Sequence, residues 1–92
     1  MFEWDEDKAK LNQAKHSVSF EFATRAFDDD QRITVIDHRE DYGESRYITL
    51  AKISDRVSDR VYVIAFTLRS SNIRIISARK ANTREVNRYE SR

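Results

Sequence analysis

Apolar positions along this 92-residue chain recur first at three- and four-residue spacing and later at alternate positions, so a helical opening is followed by a sheet. Phe2-Glu3-Trp4 reads as a short extended lead-in. Asp5 is placed to cap a helix over residues 6–15, with Glu6 and Asp7 in the first turn, where the macrodipole favours negative charge. Trp4, Leu11 and Ala14 give it a thin apolar stripe, and Lys15-His16 close it on the favourable cationic side. A second helix starts almost at once. Ser19 is its cap, Val18 and Ala23 occupy the staple positions, and Phe20, Ala23 and Phe27 form its buried face. Asp28-Asp29-Asp30 end it, because three carboxylates oppose a helix C-terminus.

The period then changes. Arg32–Ile36 reads as a short strand, Asp37–Ser45 as a charged loop around the only glycine, Gly43, and Arg46–Ile53 as a second strand. After a polar turn, Ser54–Asp59, comes Arg60–Leu68, apolar on both faces and therefore central. Ser70-Ser71-Asn72 is a hairpin loop into Ile73-Arg74-Ile75-Ile76, which leaves the sheet through Ser77-Ala78-Arg79-Lys80. Asn82 with Glu85 three residues on marks a last, capped helix. The pattern predicts one α+β domain over residues 1–92: two N-terminal helices, a four-stranded, mainly antiparallel sheet, and a C-terminal helix. That last helix offers mainly Val86 and Tyr89, so one sheet face is left for a partner chain, for self-association or for both.

Composition narrows the function. A chain of this length buries roughly 60–65% of its unfolded surface, so its stability is modest without a partner. Charged residues make up 36%, and cysteine is absent, which excludes disulfides and thiolate metal sites and fits a reducing cytoplasm. The longest apolar run, Val61–Phe66, is too short to span a membrane, and the acidic start MFEWDEDK is not a secretory signal; a soluble, cytoplasmic chain is expected. The net charge of +1 conceals an asymmetry. Residues 1–46 carry 7 Lys/Arg against 12 Asp/Glu, a net −5, and residues 47–92 carry 10 against 4, a net +6. The basic half suits an anion-binding surface; the plainer alternative is a solvated arginine-rich tail.

His16 and His38 lack metal-ligand spacing, Asp28–Asp30 reads as a helix stop, and no glycine-rich phosphate loop or serine-hydrolase elbow occurs. What remains is arginine, lysine, histidine, one glutamate and tyrosine, a set sufficient to cleave RNA without a metal. There the substrate's 2′-hydroxyl attacks its own phosphate, and the protein stabilises the phosphorane and moves two protons. Arg79, Arg69 and Arg46 are candidates for holding the scissile phosphate, and Lys15, His16 and Glu85 for proton transfer. Arg74, Lys80, Arg84, Arg88 and Tyr89 are candidates for gripping the strand. Glu85 also reads as a capping residue, Tyr89 as core and His16 as a helix-end cation. Strict alternation sets Arg74 and Arg79 on opposite faces, so both serve one site only if a bulge or the strand end intervenes. The whole reading requires guanidinium groups from separate segments to meet over one patch rather than scatter, each with its own carboxylate.

A resemblance sharpens this. Trp4-Asp5, Lys8-Ala9, Asn12, Lys15-His16, Val18, Phe20 and Ala23, then Glu44-x-Arg46-Tyr47-Ile48, Ile73-Arg74-Ile75-Ile76-Ser77-Ala78-Arg79-Lys80-Ala81, Arg84-Glu85 and Tyr89, are together similar to the BrnT toxins of type II toxin–antitoxin systems. The resemblance implies a RelE-like ribonuclease fold, RNA as substrate, cleavage without a metal or other cofactor, and neutralisation by a BrnA-type ribbon-helix-helix antitoxin. It also implies contact with operator DNA only through that antitoxin, and a homodimer within a heterotetramer. The chain departs from the family pattern at Ser17, where glycine is usual, and in Ser70-Ser71-Asn72, where Asn72 is suited to a left-handed backbone. The alternative is a non-catalytic nucleic-acid-binding or co-repressor module acting through the basic C-terminal surface.

Overall fold

In the computed structural model, which describes residues 1–39 and 41–92, the chain runs β1 (Phe2–Glu3), α1 (Glu6–His16), α2 (Phe20–Ala23), β2 (Ile33–Ile36), β3 (Arg46–Ser54), β4 (Asp59–Arg69), β5 (Asn72–Lys80) and α3 (Thr83–Glu90). The Asp5 carboxylate accepts from the Asp7 and Lys8 N–H groups at 2.9 and 3.1 Å, satisfying donors that the first turn of α1 leaves free. The helix ends at Ser17, whose φ of 60° is left-handed and whose N–H returns to the Gln13 carbonyl at 2.9 Å. The Ser19 hydroxyl caps α2 on the Phe22 N–H at 3.0 Å, and α2 tightens into a 3₁₀ turn over Thr24–Asp28. The charged segment expected over Asp37–Ser45 includes residue 40, which lies outside the described residues.

Among the described residues the sheet has five strands rather than four, ordered β1-β5-β4-β3-β2, and it is mixed. The lead-in Phe2-Glu3 is the additional strand, pairing parallel with Ile73 and Arg74 of β5. Two residues give too short an alternation to reveal a strand. All other neighbours are antiparallel, and β4 is central as its two apolar faces require. Strand β5 does not end at Ile76 but continues to Lys80, because Ser77–Lys80 pair with Tyr62–Ala65.

The helices α1 and α2 cover one face, where Phe20, Ala23, Ala26, Ile64, Ile75 and Ala78 are buried. Leu11 does not join them. It is 70% exposed, and the helix presents Ala9 and Asn12 to the sheet instead. The other face is only partly covered. There α3 sets Val86 and Tyr89 on Leu50, Val61 and Val63. The Tyr89 hydroxyl donates to the Asp29 carboxylate at 2.5 Å, and Asp29 also accepts from the Lys52 and Gln31 N–H groups. Asp29 thus does more than stop a helix: it ties α3, β3 and the loop before β2 together. The β4–β5 hairpin places the left-handed backbone at Ser70, φ 55°, rather than at Asn72, which is already in the strand. No helix is long and apolar enough to cross a membrane among the described residues.

Candidate functional site

The site is organised by an edge that β1 leaves bare. Two residues of β1 pair with Ile73 and Arg74, so on the side away from β4 the backbone of Ala78 has no strand beside it among the described residues. Asn12 takes that place. Its side-chain amide donates to the Ala78 carbonyl at 2.8 Å and to the Val18 carbonyl at 3.0 Å, and its oxygen accepts the Ala78 N–H at 3.1 Å. Both backbone groups of Ala78 are thereby satisfied by a side chain acting as a strand. The same contact draws the end of α1 to the rim of the sheet, which brings Lys15 and His16 over the face opposite to the one α1 covers.

A bulge decides which side chains lie there. The β4–β5 register slips between Ala65 and Phe66, leaving Ile76 as the extra residue of β5. Ile75 and Ala78 therefore both point at α1 and α2, while Arg74, Ser77 and Arg79 share the other face. Alternation alone would have separated Arg74 from Arg79.

Together these features build an open cleft of about 830 Å³. Its floor is Ile48, Val63, Ala65 and Ser77; Lys15 and His16 form one wall, Ile36, Asp37, His38 and Arg39 another, and Arg79 with Glu85 closes one end. Arg79 donates through both terminal nitrogens to the two carboxylate oxygens of Glu85 at 2.8 Å each. Glu85 also accepts the Asn82 N–H at 2.9 Å, so the helix cap and the arginine clamp are one group. The Arg79 hydrogen bonds hold the Glu85 carboxyl below its ordinary value against the opposing effect of burial, and Glu85 in turn raises Arg79. Arg39 is fixed in the same manner. Its Nε and Nη2 donate to the buried Asp37 carboxylate at 2.8 Å each, holding that carboxyl well below the usual carboxylate range. Its own side chain remains 72% exposed. Lys15 makes no ion pair among the described residues.

The remaining candidates fall elsewhere. Arg46, Arg69 and Arg74 lie on the cleft's face but at its far end. The cross-strand row Glu3–Arg74–Thr67–Arg46 is five residues along β5 from Arg79, roughly 15 Å at strand rise. Arg74 is paired with Glu3 at 2.8 Å and Arg69 with Glu44 at 3.5 Å. Arg46 stacks 3.9 Å above the Tyr42 ring, with Glu44 at 3.8 Å. Arg69 therefore does not meet Arg79 over a single phosphate. Lys80 lines a separate groove on the helix-covered side with Arg60 and Ser17. Arg84 and Arg88 line an apolar groove beside α3, and Tyr89 is a core residue, 4% exposed. Sequence reasoning weighed His38 only as a metal ligand and passed over Arg39, whose only signal was an acid two residues before it at a strand end, and it gave Asn12 no role. No three His, Asp or Glu side chains stand close enough to hold a metal among the described residues.

This cationic, carboxylate-tuned cleft on a half-covered sheet can hold a phosphodiester and move protons beside it. No curated protein matches the chain significantly. Residues 4–85 match the family model described as the ribonuclease toxin, BrnT, of type II toxin–antitoxin systems. With nine-tenths of its length matched and the cleft residues from Lys15 to Glu85 inside the match, the chain belongs to the BrnT family of ribonuclease toxins.

Proposed function

We propose that the chain is a metal-independent endoribonuclease whose reaction takes place in the cleft between Lys15-His16 and Arg79. A toxin of this family implies an RNA substrate and an antitoxin partner; the residue roles and the chemistry are our reading. The observation that carries it is the convergence on one 830 Å³ cleft of Lys15 and His16 from α1, His38 and Arg39 from the segment after β2, and Arg79 from β5. In this reading a 2′-hydroxyl attacks the adjacent phosphorus and gives its proton to a basic side chain of the Lys15, His16 and His38 set. The bond to the 5′-oxygen breaks, and that oxygen takes a proton from another member of the set. A 2′,3′-cyclic phosphate and a 5′-hydroxyl result, with no outside reactant. Arg79 and Arg39, each oriented by a carboxylate, face the charge that builds on the phosphorane. Glu85, bound twice by Arg79 and held ionised, acts as positioning residue rather than as proton carrier. Arg46, Arg69 and Arg74 meet the same strand farther along the sheet.

The protein acts in the cytoplasm in this reading, cleaving RNA and so inhibiting translation and growth, and is neutralised by a BrnA-type ribbon-helix-helix antitoxin, within a heterotetramer that reaches operator DNA through the antitoxin. The test is cleavage of RNA by the purified chain in excess EDTA. Persistent cleavage yielding cyclic phosphate ends is expected, and activity that EDTA abolishes refutes the metal-free reaction. A second reading draws on the five arginines already held by carboxylates: a nucleic-acid-binding co-repressor without catalysis. RNA bound with a steep salt dependence yet left uncut would favour it.

A further inference from the structure

Beside the cleft, between β2 and α3, lies a second groove of about 210 Å³ with an apolar floor of Ile33, Val35, Ile48 and Leu50. The third helix is too short and too polar to cover it, and Val35 remains 38% exposed. Its rim carries Arg84 and Arg88, one helical turn apart. Both are exposed and make no ion pair among the described residues, whereas Arg39, Arg46, Arg69, Arg74 and Arg79 each have a carboxylate within 4 Å. Strand β2 is an outer strand of the sheet, and no strand pairs with its other edge among the described residues. The groove shares Ile48 and Glu85 with the cleft, so whatever fills one stands at the mouth of the other.

We infer that this groove seats an acidic amphipathic segment of the antitoxin, apolar side chains on Ile33, Val35 and Ile48 and carboxylates on Arg84 and Arg88. The inference rests on the family reading that the chain has an antitoxin partner. An apolar floor disfavours a phosphate backbone, which would lose its hydration there without replacement. A second copy of the chain docked about a two-fold axis would bring Arg84 and Arg88 against their own equivalents, placing like charges together. An acidic segment meets neither objection. Seated against Glu85, it also blocks the approach of RNA to Arg79, so binding and neutralisation are one event.

The experiment measures affinity between the cognate antitoxin and three variants by titration calorimetry: Val35→Asp, the doubly reversed Arg84→Glu/Arg88→Glu, and Leu11→Asp on the exposed side of α1, outside the groove. The first two are expected to lose about 30-fold or more in affinity and Leu11→Asp to match the unchanged protein. In cells Val35→Asp should remain toxic and escape neutralisation. Wild-type affinity in both folded groove variants overturns the inference. So does loss of RNA binding with antitoxin binding intact, which gives the groove to RNA, or loss of a self-dimer with antitoxin binding intact, which gives it to a second copy. A chain that leaves RNA uncut yet loses the antitoxin on groove substitution upholds the groove and refutes the nuclease reading.

Discussion

Arg79 and Glu85 meet end to end through two hydrogen bonds of 2.8 Å, joining the last strand to the first turn of the last helix across a single bend of chain. The contact is part-exposed, so its value lies in orientation more than in stability. Arg79→Ala is expected to reduce RNA cleavage by about 10²–10³-fold, as loss of an oriented charge donor does, while leaving the fold intact. Glu85→Gln keeps the cap and the guanidinium but loosens its aim, and costs roughly tenfold. Single-turnover cleavage rates distinguish the two. Equal losses would make Glu85 a proton carrier instead.

The same pair has a pH signature. Because Arg79 lowers the Glu85 carboxyl from its ordinary 4.5, the stability it contributes is full above that value and is lost as the pH falls through the lowered one. Thermal melts of the protein and of Glu85→Gln should therefore differ at neutral pH and converge in acid.

Tyr89 behaves oppositely. Burial, and then its hydrogen bond to the Asp29 carboxylate, push its hydroxyl up to about 12. The stabilisation is complete below the ordinary value of 10 and disappears as the pH rises from there toward 12. Ultraviolet titration should show one phenol ionising in that upper range. Tyr89→Phe, which removes a bond to a charged acceptor, should lower stability by about 1.5–3 kcal/mol by urea denaturation.

Asn12 is buried at 8% exposure with three hydrogen bonds, two of them to Ala78. Asn12→Ala strands the Ala78 N–H and C=O without a partner, a cost of about 2–4 kcal/mol. Its effect on cleavage should exceed its effect on folding, because the end of α1 that carries Lys15 and His16 is released. Denaturant midpoints and cleavage rates of the folded variant test this together.

Ser17 holds a φ of 60° at the end of α1. Ser17→Gly relieves a backbone that costs a side-chain-bearing residue about 1 kcal/mol, and should raise the melting temperature by about 4–8 °C. An unchanged melting temperature would mean the Ser17 side chain compensates.

What the sequence determined by itself was local. The caps at Asp5, Ser19 and Asn82, the Asn82–Glu85 box and the central place of β4 follow from neighbours within a few residues, and those forces act in any context. Lys15, His16, Arg79 and Glu85 were legible as site candidates because their residue types and the family motif mark them. Tertiary structure decided the rest. The bulge at Ile76 put Arg74 and Arg79 on one face, and the two-residue β1 left an edge for Asn12, 66 residues from its partner Ala78. Asp29 reached Tyr89 across 60 residues. Exposure of Leu11, separation of Arg69 from Arg79, and arrival of Arg39 at the cleft all depend on which segments pack together. Periodicity along a chain encodes which face a residue takes, not which distant group fills the gap opposite it.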